Sequence, residues 1–360
     1  MDSIKVGIIG FGRSGCGIHA DAIKHIPEQF TVTAICDELP DRRTHEAFPD
    51  AKPYASAAEL LADPEVELAV VATWNCTHAR LVEKALNAGK HVLCEKPFGY
   101  TTADVDSMIA AAEKNRRILQ PFQQRRFEDD FQKVLEVCQS GVLGKLSYIR
   151  ICWPGFARRW DWQTSRQRGG GQLYNNGPHL IDHGVTLFGS AEPQVDCRVR
   201  NMLGAADAED EIDVRLSAPG CPDVEMIISA TCAYPQDRWL VCGSCGTLHG
   251  GTEKLNWKYV DWSQYPAHPL DLHPLEGRCY CSEKIEFTEK EWTPAVQNSD
   301  SGAGAPPATK PALMLYDTLY RAIRLGEKQF ITPQQIRRRI AVLEACYKQN
   351  NIPFPENTLL

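Results

Sequence analysis

A chain of 360 residues, 43% hydrophobic and 24% charged, has room for two domains with full cores and the composition of an ordinary globular protein. Its net charge of −7 argues against a nucleic-acid partner, because the arginine pairs beginning at Arg42, Arg125, Arg158 and Arg337 are scattered rather than gathered into a stripe. No apolar run reaches the length of a membrane span, and the N-terminus shows a strand pattern where a signal peptide would be basic then apolar. A cytoplasmic protein with a small-molecule ligand is expected.

Fourteen cysteines are spread along the chain, several inside apolar runs (Cys36, Cys94, Cys152, Cys232), which reads as reduced, buried thiols. Cys242-Gly-Ser-Cys245 has the spacing of a redox or zinc pair, but no second pair stands at a matching distance, and no metal is expected.

Ile4 to Ile9 reads as a buried parallel strand running directly into Gly10-Phe-Gly-Arg-Ser-Gly15 and then a helix that stops at Pro27. A second strand, Thr31 to Cys36, ends in Asp37. Strand, G-x-G-x-x-G, helix and a following acid are the parts of a dinucleotide site. Gly10 permits the tight turn, Gly12 admits the pyrophosphate, Gly15 lets helix pack on strand, and the helix N-terminus attracts phosphate. Asp37 would accept from the adenosine ribose diol. With Glu38 it would repel a 2′-phosphate, which predicts NAD over NADP, although Arg42 and Arg43 oppose that preference.

The alternation continues. Ser56-Ala-Ala-Glu59 is a capping box, Leu68 to Ala72 a third strand, His78 to Ala88 a helix closed by Gly89, and His91 to Cys94 a fourth strand leading to Glu95-Lys96-Pro97. Thr101 and Asp104 open a further helix. This is the pattern of a parallel sheet covered on both faces, with ligands at the carboxyl ends of its strands.

From about Leu119 the pattern changes. One helix, Phe131 to Gln139, precedes strand-like segments at Leu146–Trp153, Gln194–Arg200, Ile212–Leu216, Glu225–Cys232 and Trp239–Cys242, which signal a second domain on a large, mostly antiparallel sheet. Glu253 to Trp292 reads as long loops, and Asn298 to Lys310 as a mobile linker. Two helices follow, the second opened by the capping box Thr332-Pro-Gln-Gln335 with Ile336, Ile340, Leu343 and Tyr347 inward. The expected domains are residues 1–120, a dinucleotide-binding Rossmann domain; 121–311, an α+β substrate domain; and 312–360, helices returning to the first.

Gly169-Gly-Gly to Asp182 is the best candidate for acid–base chemistry. Glycines let the backbone approach a ligand, and the apolar pattern from Pro178 puts His179, Asp182 and His183 on one helical face. Taken alone, it could equally be a turn opening a core helix with a structural histidine.

Gly10-Phe-Gly-Arg-Ser-Gly15, Ala72-Thr-Trp-Asn-Cys-Thr-His78, Glu95-Lys-Pro97 and Gly177-Pro-His-Leu-Ile-Asp182, in this order, resemble the Gfo/Idh/MocA family of sugar and polyol oxidoreductases across nearly the whole chain. The resemblance implies an NAD-dependent enzyme that oxidises or reduces a secondary hydroxyl of a sugar, glycoside or inositol. Lys96 would polarise the hydroxyl and His179 would act as acid and base. Asp182 would orient His179 or bind a substrate hydroxyl. Where the family usually has an aspartate, Asn175 stands here, an amide that cannot raise histidine basicity as a carboxylate does. Trp74 replaces a proline in the cofactor turn, where its indole could cover the adenosine.

The cofactor-binding set is then Gly10, Phe11, Gly12, Arg13, Ser14, Asp37, Thr73, Trp74, Asn75, His78, Glu95 and Lys96. The substrate set is Lys96, Arg126 (preferred to Arg125), Trp160, Trp162, Asn175, His179 and Asp182, the tryptophans as stacking faces for a pyranose. Two other readings stay open: a glycoside-processing enzyme that retains NAD and oxidises a ring hydroxyl, often at C3, before glycosidic cleavage, and a non-catalytic NAD-binding sensor. The resemblance also implies a homo-oligomer, dimer or tetramer.

Overall fold

In the computed structural model the chain is described at residues 2–274, 277, 280–295 and 310–354. Two sheets organise it. The first is parallel, with β1 (Ile4–Ile9), β2 (Phe30–Cys36), β3 (Lys52–Tyr54), β4 (Leu68–Val71), β5 (His91–Cys94) and β6 (Leu119–Pro121) in the order β3-β2-β1-β4-β5-β6. Its central strands are apolar on both faces because helices cover both, and all of β1 except Lys5 is buried. The order reverses between β1 and β4, which opens the crevice at the strand ends that carry Gly10, Thr73 and Glu95.

Helices α1 (Asp21–Ile23), α2 (Ala57–Ala62), α3 (His78–Asn87) and α4 (Thr102–Asn115) flank this sheet. Both reciprocal bonds of a capping box are present at Ser56/Glu59 and at Thr101/Asp104. The helix after the glycine turn differs from expectation. Gly15–Ala20 is wound as a π-helix, and the short α1 that continues it ends at Ile23 rather than Pro27.

After α5 (Asp129–Gln139) comes the second sheet, with eight strands: β7 (Leu146–Pro154), β8 (Gln194–Arg200), β9 (Glu211–Ser217), β10 (Asp223–Ser229), β11 (Trp239–Gly243), β12 (Gly246–Gly250), β13 (Leu255–Tyr259) and β14 (Thr288–Trp292). Every pairing is antiparallel except β7 with β10. Both expected sheets are therefore present, a Rossmann-type parallel sheet and a mostly antiparallel one. The stretch expected as loops supplies β13 and β14; β14 is a largely exposed edge strand, so it lacks the apolar alternation that marks a half-buried one. The linker expectation at 298–309 lies outside the described residues.

Helices α6 (Gln172–Asn175) and α7 (Gly177–Phe188) pack against the second sheet, while α8 (Lys310–Leu325) and α9 (Pro333–Gln349) close the chain. The last helix touches α4 and β6 on one side and α7 and β8 on the other, so it bridges both sheets. No described helix is long and apolar enough to cross a membrane.

Candidate active site

At the nucleotide end, Gly10 has φ +87°, and a Cβ there would lie 2.7 Å from the Ala72 carbonyl oxygen. A Cβ at Gly15 would lie 2.0 Å from the Gly10 carbonyl oxygen, whereas one at Gly12 would meet only Arg42 Nη1 at 3.7 Å. The turn is thus tight at its outer glycines and open at its centre, which fits a pyrophosphate. At the end of β2, the Asp37 carboxylate accepts from the Phe11 N–H at 2.7 Å and the Leu39 N–H at 3.0 Å, fixing the acid beside the turn.

Across the crevice, Thr73 Oγ1 and Thr77 Oγ1 share a hydrogen bond at 2.5 Å, and the Asn75 amide donates to the Gly169 carbonyl at 2.9 Å. The cofactor turn is so tied to the glycine stretch before α6. His78 is buried 3.3 Å from the Thr73 carbonyl, and burial takes its pKa down to about 4. Trp74 meets Trp162 edge-on at 4.9 Å with the Arg168 guanidinium over its ring.

Lys96 follows β5. Its Nζ donates to the Asn175 carbonyl at 2.9 Å and to Asn175 Oδ1 at 3.0 Å. Burial lowers the Lys96 pKa to about 8; Glu95 opposes that fall, while Arg125, Arg13 and Arg159 add to it. Glu95 accepts from the Lys96 backbone N–H at 3.0 Å and lies 3.3 Å from His19 Nε2. Burial alone would raise the Glu95 pKa, but His19 and Lys96 hold it below the ordinary carboxylate range. His19 Nδ1 is in turn 2.8 Å from the Tyr316 hydroxyl of α8.

His179, in the first turn of α7, is 4% exposed. Its Nδ1 lies 3.2 Å from Gln123 Nε2. Burial, then Arg125, Lys96, Arg339 and His183, push its pKa well below the ordinary imidazole range, so the ring is neutral. Asn175 bonds Lys96, and it is Gln123 that partners the His179 ring. Sequence reasoning left out Arg339 of α9, whose guanidinium donates to Gln123 Oε1 at 2.6 Å and to the Pro97 carbonyl at 2.7 Å.

The expectation that Asp182 and Arg126 contact the substrate is corrected. Asp182 is fully buried, and both of its oxygens accept from Arg126 at 2.7 Å, which leaves neither side chain open to a ligand. It is Arg125, lying over the Trp153 ring, whose charge acts on Lys96 and His179. Trp160 is 81% exposed and, like Lys96, His179 and Trp162, is not among the residues that bound the cavity whose wall includes Asn175. That cavity, about 260 Å³, is bounded by Trp153, Arg159, Gln163, Gln172, Asn176 and Glu209 among others.

Comparison with known proteins agrees with this architecture. Residues 4–123 match the model of the oxidoreductase family with an NAD-binding Rossmann fold, and residues 131–249 match the Gfo/Idh/MocA C-terminal domain. The chain is 33% identical over 293 residues to the uncharacterised oxidoreductase YdgJ of Escherichia coli, covering 81% of this chain and 78% of that one. It is 35% identical over 195 residues to an uncharacterised oxidoreductase, C26H5.09c, of Schizosaccharomyces pombe, covering 53% of each chain. It is 30% identical over 194 residues to the scyllo-inositol 2-dehydrogenase (NADP(+)) IolW of Bacillus subtilis, covering 52% of this chain and 53% of that one. The matches therefore span about half the length of the latter two relatives. With both halves matched in order around this site, the chain belongs to the Gfo/Idh/MocA family of oxidoreductases.

Proposed function

We propose that the chain oxidises or reduces a secondary hydroxyl of a sugar, glycoside or polyol by hydride transfer, with NAD rather than NADP. The observation that carries this reading is Lys96: a buried amine with a pKa near 8 whose Nζ bonds Asn175, a residue of the cavity wall, and whose charge acts on neutral His179. An amine tuned toward neutral pH at the carboxyl end of a strand is what exchange of a hydroxyl proton needs. A polyol substrate also agrees with the name of IolW.

The nicotinamide ring, when bound, takes up or gives the hydride. Gly10, Gly12 and the following helical turn would hold the pyrophosphate, and Asp37 the adenosine ribose. Asp37 and Glu38 at that end disfavour a 2′-phosphate, while Arg43 is engaged by the Asp37 and Glu38 carbonyls at 2.8 and 2.9 Å. Lys96 and His179 would bind the reacting oxygen, stabilising charge that develops on it.

The direct test is Lys96→Met, assayed by turnover and by calorimetric NAD titration. Removing a group that stabilises the reacting oxygen should lower kcat by about 10²-fold or more while NAD affinity stays within several-fold. Unchanged turnover would contradict the reading.

A further inference from the structure

We propose that Arg339, acting through Gln123, locks His179 in the neutral tautomer with its proton on Nε2, so that His179 donates to the reacting oxygen and Lys96 carries the exchanged proton. This deepens the hydride-transfer reading and rests on it. It departs from the general-base role that family resemblance implies for His179.

Arg339, on α9, is 1% exposed. A guanidinium only donates, so the Gln123 atom 2.6 Å from it must be the carbonyl oxygen. The other end of that amide lies 3.3 Å from the Pro178 carbonyl, which only accepts, so it must be the NH2 group. Reversing the amide would create two like-poled contacts inside the protein, where unmet polar groups are costly. Both neighbours thus fix the same orientation, and the NH2 group faces His179 Nδ1 at 3.2 Å.

Nδ1 must therefore accept. A proton there would confront a donor, and the nearby charges of Arg125, Lys96 and Arg339 disfavour an imidazolium. His183, on the same helix, is itself buried with its pKa lowered to about 4, and Asp182 is neutralised by Arg126. The proton of the neutral ring sits on Nε2, which has no hydrogen-bond partner among the described residues. Losing it would leave an imidazolate, so the ring donates without titrating, as a neutral imidazole can when it polarises a carbonyl.

Lys96 is arranged for the complementary role. Two of its N–H groups are taken by Asn175 O and Oδ1, at 2.9 and 3.0 Å, in either protonation state. The third direction carries a proton in the ammonium and a lone pair in the amine. Glu95, Arg125, Arg13 and Arg159 are the charged groups acting on it. In oxidation, the hydroxyl proton passes to this lone pair as the carbon–oxygen double bond forms, and the C–H electron pair leaves with its hydrogen as hydride to the oxidised nicotinamide. Reduction reverses each transfer. The same Arg339 guanidinium donates to Pro97, the residue after Lys96, so one cation positions both groups.

The test is long-range ¹H–¹⁵N correlation of the full chain labelled with ¹⁵N-histidine, between about pH 6 and pH 9, with His179→Gln identifying the signal. The Nε2–H pattern should persist at every pH. An Nδ1–H pattern, or an imidazolium appearing near the ordinary histidine pKa, overturns the proposal. Arg339→Met releases the amide and should admit the second tautomer. Should that variant not fold, Gln123→Glu, similar in shape, sets a carboxylate against Nδ1. It should move the proton there and add an ionisation in the histidine range to the pH profile of kcat/KM. An unchanged spectrum and profile in Gln123→Glu overturns the lock. The spectrum is read without turnover, so the Nε2–H pattern in a chain that transfers no hydride upholds the lock and defeats only the functional reading.

Discussion

The Lys96 ammonium donates to both oxygens of one residue, the backbone carbonyl and the side-chain Oδ1 of Asn175, at 2.9 and 3.0 Å. An amide satisfies the lysine without adding the charge that would hold its proton. Asn175 is so coupled to the lysine, and its effect on the pH dependence is open to measurement.

The rate of alcohol oxidation should rise with pH through about 8 and then level. The pKa of Lys96 is lowered to about 8 by burial, and oxidation needs the unprotonated amine, so kcat/KM should fall about tenfold per pH unit below that value. Carbonyl reduction should show the opposite slope. Initial rates at subsaturating substrate, taken across this range, check both signs.

Asn175→Asp should move that limb upward. A carboxylate about 3 Å from Nζ favours the ammonium and raises its pKa by about 1 to 3 units. Oxidation at neutral pH should then drop by about tenfold or more and recover in alkali. A pH profile that does not move would show that the position does not tune Lys96.

Asp37→Ser should weaken the preference for NAD. The Asp37 carboxylate is fixed by the Phe11 and Leu39 N–H groups at the end of β2, where the adenosine ribose would lie. Replacing it removes the charge facing a 2′-phosphate, so NADP affinity should rise at least several-fold while NAD affinity falls. Calorimetric titration of each dinucleotide into the native chain and the variant gives the ratio.

Asp182→Asn should act on stability. The Arg126–Asp182 pair is buried and doubly hydrogen-bonded, and leaving one partner uncompensated costs about 3 to 5 kcal/mol. Burial tends to raise the Asp182 pKa, but the Arg126 charge and hydrogen bonds hold it below the ordinary carboxylate range. A depressed folded-state pKa means that the native chain keeps this stabilisation above the unfolded carboxylate pKa and loses it as pH falls through the folded value. Denaturant unfolding at neutral pH and in acid should show a deficit for the variant that narrows in acid.

The glycine turn and the strand ends around it were legible because their signals are local. Gly10, Gly12, Gly15 and Asp37 sit at the ends of continuous apolar strands, and Ser56, Thr101 and Thr332 announce helices by their own capping partners. β3 and β6 escaped because three residues cannot display a period, and β14 because most of it is exposed. The surroundings of Lys96 and His179 were legible as residue types but not as partners. Lys96 meets Asn175 across 79 positions, and Arg339 meets Gln123 across 216. Within the inward stripe of Ile336, Ile340 and Leu343, Arg339 reads as a surface charge, and only the packing of α9 against α7 and β6 turns it inward. The exposure of Trp160 was hidden for the converse reason: aromatic character does not reveal whether a ring faces a cavity or solvent.

Hydride transfer to or from a sugar or polyol hydroxyl can be read by following the absorbance of reduced nicotinamide while hexoses, glycosides and inositols are added singly to the chain with NAD+, and the matching ketoses and inososes with NADH. At least one compound should drive a change continuing well past one equivalent of enzyme, and Lys96→Met should abolish it. No change with any compound in either direction, from a chain that binds NAD, would contradict hydride transfer.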